Sequence, residues 1–156
     1  MEIGIDLGAN KIKYVFLNDN NSELLRQRKK TPTNYKQLLK LLSNIIKELS
    51  AKYNQQLNVG ICHPGSIDSK GKIFNTYNMK WIVNKKIEND LSSLVDNKLI
   101  FENDANCFTL SEAIDGTAKN YNSVFGVILG SGTGGGFVVN KKIIHGANCI
   151  AGEWGH

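Results

Sequence analysis

The run Gly130-Ser-Gly-Thr-Gly-Gly-Gly136 constrains the fold most, because it lies between two apolar runs, 123–129 and 137–139, that read as strands. Gly/Ser linkers normally join domains, whereas this stretch has strands pressed against both its ends, so a tight structural loop is expected. Gly admits positive φ and lets backbone N–H groups approach an anion, and Ser131 and Thr133 add hydroxyl donors, so the loop is suited to cradling a phosphate. A second candidate phosphate loop, Asp6-Leu-Gly-Ala-Asn-Lys11, stands near the other end of the sequence.

Between the two loops the apolar period changes. Residues 2–7 and 11–17 read as strands joined by Gly8-Ala9-Asn10, and Asp19-Asn-Asn-Ser22 turns the chain into a third strand through Leu24-Leu25, giving a meander. Leu38, Leu41, Leu42, Ile45, Ile46, Leu49 and Tyr53 then recur three and four apart, and Asn34 followed by Gln37 resembles a capping box, so a helix is expected from about Tyr35 to Tyr53. A strand at 57–62 ends at His63-Pro64-Gly65, and residues 65–72 read as a surface excursion. Beyond the polar and aromatic cluster Asn75, Asn78 and Trp81 come a weak helix through Ile87, Leu91 and Leu94, a strand at 98–101, and a helix through Phe108, Leu110, Ala113 and Ile114 that Gly116 can stop.

This succession is α/β with an antiparallel beginning. Most of the 15 glycines follow residue 115, and that part offers strands at about 123–129, 135–140 and 142–144 with no helix after them to cover their apolar faces. Sheets left bare in that way are avoided, so the second part is expected to be the opening of a further, incomplete domain. The division expected is 1–116 and 117–156.

Composition excludes several classes. The 156 residues carry 19 Lys+Arg against 14 Asp+Glu, and the basic residues are scattered apart from the short cluster at 26–30, which suits attraction of anionic substrates better than a nucleic-acid surface. No apolar run approaches a membrane span and Met1 leads directly into a strand-like run, so a cytoplasmic protein is expected. Cys62, Cys107 and Cys149 form neither a disulfide framework nor a zinc motif and are expected to be small buried hydrophobes.

Three places besides the glycine run could carry chemistry. Asp6, at a strand end before a Gly turn, could hold Mg²⁺ directly or through water, with Gly8, Asn10 and Lys11 near phosphates, or could simply form the turn. Asp104 stands in the first turn of a helix, where Asp is commonly a cap. Asn103 could supply that cap, leaving Asp104 to take the proton of a substrate hydroxyl with Asn103 fixing the same substrate. Glu153 could accept two sugar hydroxyls, with Trp154 as a pocket wall. His63 and His145 are assigned no general-base role.

Taken together, IGIDLGANKI (3–12), HPGSID (63–68), NMKW (78–81), ENDANCFTLSEA (102–113), GVILGSGTGGGFVVN (126–140) and AGEWGH (151–156) resemble the ROK family (repressors, open reading frames and kinases) of the actin-like, hexokinase-like ATPases. The resemblance implies an actin-like ATPase (ribonuclease H-like) α/β fold with a mixed sheet, and an ATP-dependent hexose kinase that also uses Mg²⁺. By motif, Asp104 matches the catalytic base, and Gly65, Asn78, Asn103 and Glu153 match sugar contacts. Asp6, Gly8, Asn10 and Lys11 match the first phosphate motif, and Gly130, Ser131, Gly132, Thr133 and Gly134 match the second. His156 matches a residue at the sugar site that also ligates a structural Zn²⁺ with three cysteines absent from this sequence, so zinc is implied only for a longer version. The sequence departs from the family pattern at Ala9-Asn10 and at Ser131, which keep polar donors.

The motifs look most like the fructokinase and mannokinase branch, with fructose as the acceptor implied first and N-acetylglucosamine or glucose next. Family members commonly form homodimers, so a homodimer is implied for a longer version; for this chain sugar and ATP are the other partners expected, with no nucleic acid and no membrane. A noncatalytic sugar-binding remnant is the reading from another class. A sugar-responsive regulator would need a helix-turn-helix ahead of the loop at Asp6, where five residues precede it.

Overall fold

The computed structural model describes residues 1–130 and 132–154. Strands β1 (Glu2–Leu7), β2 (Lys11–Leu17) and β3 (Glu23–Lys30) form the expected antiparallel meander. The β1–β2 turn is closed by the Gly8 N–H on the Lys11 carbonyl (3.1 Å), and the Thr31 hydroxyl donates to the Gly8 carbonyl (2.6 Å). Strand β3 runs well beyond Leu24-Leu25, because its charged residues pair with β2 down to Lys11 opposite Lys30. It is an edge strand, and Arg26, Arg28 and Lys30 on it deter pairing with another sheet.

Helix α1 (Tyr35–Tyr53) starts where the Asn34 side chain accepts the Gln37 N–H (3.0 Å) and stops at Asn54 in the left-handed region. Its buried face, Leu38, Leu42, Ile45, Ile46 and Leu49, packs into the core with Ile3, Ile5, Leu7, Ile12, Tyr14 and Phe16 of β1 and β2. Strand β4 (Asn58–His63) then runs parallel to β1. The chain continues through the short pair β5 (Ser66–Ile67) and β6 (Ile73–Phe74), a 3-10 turn (Lys80–Ile82), helix α2 (Ile87–Ser92) and strand β7 (Leu99–Asn103). The order β3-β2-β1-β4-β7 makes a mixed five-stranded sheet.

Helix α3 (Asp104–Ile114) follows at once, then β8 (Ser123–Leu129), β9 (Thr133–Val139) and β10 (Lys142–Ile143) in an antiparallel sheet of order β10-β9-β8. The chain forms two compact units, 1–102 and 103–156. The expected division at residue 116 thus has α3 on one side, whereas α3 packs on β8 and β9 within the second unit.

That packing corrects the expectation of an uncovered sheet. Ala105, Thr109 and Ala113 of α3 are buried, as are Gly126, Gly136 and Val138 of the strands. The other face of β8 keeps Phe125, Val127 and Leu129 exposed. The cysteines are also placed differently from expectation: all three are reduced thiols and only half-buried. Among the described residues, no helix is long and apolar enough to cross a membrane.

Candidate functional site

In the first unit, β1 delivers Asp6 to the strand end beside its register neighbours Lys13 and Cys62. The Lys13 ammonium lies 3.3 Å from one Asp6 oxygen, and the Cys62 thiol donates to the other at 3.7 Å. Gly8 is required in this turn, since a Cβ there would lie 2.8 Å from the Lys11 carbonyl oxygen. Asn10 and Lys11 are exposed at the turn and can reach an anion. One carboxylate of this kind suits Mg²⁺, which keeps most of its water and takes its other oxygens from phosphates.

The chain leaves β4 through His63-Pro64-Gly65. Gly65 has φ +83°, and a Cβ there would stand 2.5 Å from the Phe74 carbonyl oxygen and 3.0 Å from the Thr76 Cβ, so its backbone is pressed against the return strand. Buried Met79 and Ile82 anchor the segment that presents Asn78, whose side chain is exposed. Asp68 closes the excursion by accepting the Lys70 and Lys72 N–H groups (both 2.8 Å). Those backbone bonds, led by that of Lys72, hold its carboxyl below the usual carboxylate range. His63 is fully buried, and burial lowers its pKa against the weaker opposing effects of the Pro64 carbonyl and Glu102.

In the second unit, the first turn of α3 is organised by two side chains. The Asn103 side chain accepts the Asn106 N–H (3.0 Å) and is the N-cap, while Asp104 Oδ1 accepts the Ala105 N–H (2.9 Å). The cap role is therefore filled by Asn103, with Asp104 half-buried beside it in the same turn.

The glycine run divides into two parts with different work. Gly126 and Gly136 face each other across β8 and β9 and form a notch for Thr109, whose hydroxyl donates to the Ala105 carbonyl (2.7 Å). A Cβ on Gly136 would lie 2.7 Å from both the Ala105 oxygen and Thr109 Oγ1, and one on Gly126 would overlap Thr109 Oγ1. On the opposite face, a Cβ on Gly135 would lie 2.8 Å from the Trp154 ring. Thr133 and Gly134 belong to β9, paired with Leu129 and Ile128, so the connection is shorter than the sequence suggested.

What remains of the loop is Gly130 to Gly132. Gly130 donates its N–H to the Gly132 carbonyl (2.9 Å), and a Cβ on Gly132 would meet nothing within 4 Å. The open part of the run is thus about three residues, and the packing glycines 126, 135 and 136 were not separable from it in sequence. Ser131 and His156, expected at the phosphate and at the sugar and zinc, lie outside the described residues.

Trp154 is not a free pocket wall. Its indole N–H donates to the Gly134 carbonyl (3.3 Å) and its ring meets Phe125 edge-on at 6.5 Å, which ties the segment bearing Glu153 to β9. Glu153 donates its backbone N–H to the Ile150 carbonyl (3.1 Å). A Cβ on Gly134 would lie 3.5 Å from that of Ala105 in the first turn of α3. Within the second unit, Gly134 thus lies against the first turn of α3, which carries Asn103 and Asp104, and the Glu153 segment is tied to β9 through Trp154. Among the described residues, no group of three His, Cys, Asp or Glu side chains is arranged to hold a metal ion, so these donors do not compose a zinc site.

The sequence model described as the ROK family matches residues 2–156. An N-acetyl-D-glucosamine kinase of Yersinia pestis bv. Antiqua is 38% identical over 157 residues, covering 100% of this chain and 61% of that protein. One from Haemophilus influenzae is 37% identical over 157 residues, covering 100% of this chain and 52% of its own length. The chain thus spans about half the length of most of the curated relatives it matches. Among solved structures, a ROK family glucokinase from Streptomyces griseus, in complex with glucose and AMPPNP, superimposes with a TM-score of 0.85 at 25% identity, over 99% of this chain and 49% of that one. The architecture is the α/β, mixed-sheet fold of the actin-like ATPases.

Proposed function

We propose, on the premise that this chain belongs to the ROK family, that it acts in ATP-dependent phosphorylation of a sugar hydroxyl. The observation that carries the reading is the first turn of α3, where Asn103 supplies the helix cap and sets the Asp104 carboxylate beside it at the start of the helix. In this role Asp104 accepts the hydrogen bond of the acceptor hydroxyl and takes its proton as the oxygen attacks the γ-phosphorus. Asn103, Gly65, Asn78 and Glu153 orient the sugar, and His156 is proposed there by motif. Gly8, Asn10 and Lys11, with Gly130, Ser131, Gly132, Thr133 and Gly134, hold the phosphates through N–H, amide, ammonium and hydroxyl donors. Mg²⁺, held through water by Asp6, would supply charge neutralisation on the phosphates.

The names of the relatives favour N-acetylglucosamine as the acceptor over the fructose implied by the motif resemblance. Fructose is the second reading, supported by HPGSID and AGEWGH. A cytoplasmic homodimer completes the proposal. ADP release from Mg-ATP, measured with N-acetylglucosamine, glucose and fructose in turn, separates the two readings and also tests the remnant alternative. Asp104→Asn is expected to lower kcat by about 10²–10⁴-fold while sugar still binds. Near-normal turnover in that variant would remove Asp104 from the role of base.

A further inference from the structure

His63 is fully buried at the end of β4, immediately before the Pro64-Gly65 turn, yet the proposed reaction gives it no role. Its Nδ1 lies 3.1 Å from the Pro64 carbonyl oxygen. A carbonyl can only accept, so this contact requires the proton on Nδ1. Nε2 is then a bare acceptor, and it is buried with no hydrogen-bond partner among the described residues. Leaving a polar atom unsatisfied in the interior is costly, and a Leu or Phe would fill the same space without that cost. The ring packs near Phe101 of β7, with centroids 6.2 Å apart, and Glu102 is the acid whose charge acts on it.

The other half of the imidazole explains its presence. The bond to Pro64 fixes the peptide that leads into Gly65, whose positive φ and close approach to Phe74 and Thr76 leave little room for a second conformation. Thr76, buried against that turn, likewise has its hydroxyl unpaired.

We propose that His63 is a positioning residue: as the neutral Nδ1–H tautomer it donates to the Pro64 carbonyl and sets the backbone of Gly65 for the sugar. The sugar contact rests on the kinase reading, whereas the control of the turn does not. Two variants separate shape from hydrogen bonding. In His63→Asn the side-chain amide can take over the Nδ1 donor, and in His63→Leu bulk is kept and the donor lost.

The deciding measurements need no turnover. Ring ¹⁵N shifts of the 156-residue chain are expected to report the Nδ1–H tautomer, and the Gly65 and Ser66 amide signals to move in His63→Leu and return in His63→Asn. An Nε2–H tautomer, or Gly65 and Ser66 signals unmoved in His63→Leu, overturns the proposal. With the acceptor sugar, His63→Leu is expected to raise KM by roughly five- to tenfold, as for one lost buried hydrogen bond, with kcat reduced less and His63→Asn restoring KM. A fall confined to kcat overturns the link to the sugar. Failure of every sugar to react, with the tautomer and amide shifts as expected, refutes the kinase reading and leaves the control of the turn supported.

Discussion

Replacing Gly126 by Ala tests whether the glycines after residue 115 serve packing as well as phosphates. The added methyl would overlap Thr109 Oγ1 and stand 2.9 Å from Thr109 Cβ and 3.1 Å from Cγ2. Thr109 cannot swing away easily, since it is fully buried and its hydroxyl holds the Ala105 carbonyl at 2.7 Å. Overpacking of a tight core typically costs about 1–3 kcal/mol, and displacing Thr109 forfeits about 1 kcal/mol more for its hydrogen bond, so a loss of roughly 2–4 kcal/mol is expected. Thr109→Ala removes Oγ1 and Cγ2 from the notch and costs roughly 1–2 kcal/mol by itself. In that background the added methyl still stands 2.9 Å from the Cβ at position 109, so Gly126→Ala is expected to cost less than in the parent chain, about 1–2 kcal/mol. The chain has two tryptophans, Trp81 in the first unit and Trp154 in the second, so Trp154 emission in a Trp81→Phe background follows the second unit through a urea titration. An equal cost of Gly126→Ala in both backgrounds would refute the notch.

Gly132→Ala should behave in the opposite way. With nothing within 4 Å of the added Cβ and an exposed position, it is expected to change stability by less than about 0.5 kcal/mol while raising the KM for ATP. Unchanged ATP affinity would show that the loop does not reach the nucleotide. His63 supplies a pH dependence. Burial lowers its pKa below the ordinary 6.5 of the unfolded chain, so the unfolded state takes up a proton first and stability falls as pH drops from about that value towards the lowered one. His63→Asn should therefore flatten the acid side of a plot of urea midpoint against pH, and parallel curves for the two proteins would exclude His63 as the source.

Much of the fold was legible in local pattern. The three-and-four spacing of leucines and isoleucines marked α1, and Asn34 and Asn103 were readable as caps because capping is settled within a few residues. The helix over 104–114 was also legible, but hydrophobicity pointed to Phe108, Leu110, Ala113 and Ile114 as its face. Instead Phe108 and Ile114 are exposed, and Ala105, Thr109 and Ala113 face the strands. The reason is long-range: a notch floored by Gly126 and Gly136 admits small side chains only, and that pairing depends on the register of two strands. The same register hid the division of the glycine run, since composition is alike in the packing and open parts. The role of His63 was hidden because its partner is a backbone carbonyl rather than another side chain.

The notch bears directly on the proposed chemistry. A general base must hold its acceptor hydroxyl within hydrogen-bond reach of the attacking geometry, and misplacement by about 1 Å can cost about 10²-fold in rate. Asp104 is on a helix whose position is set one turn later by Thr109 between two glycines, while the loop at 130–132 is the tip of the hairpin those glycines belong to. Gly135, on the reverse face of the same strand, seats Trp154 and with it the segment carrying Glu153. The residues proposed for the base, for one sugar contact and for one phosphate loop are thereby fixed to a single packed unit. In the proposed site, glycines that pack against α3 and Trp154 would control the distances among the residues that meet the ligands, and the glycines between 126 and 136 serve close packing as well as the proposed anion binding.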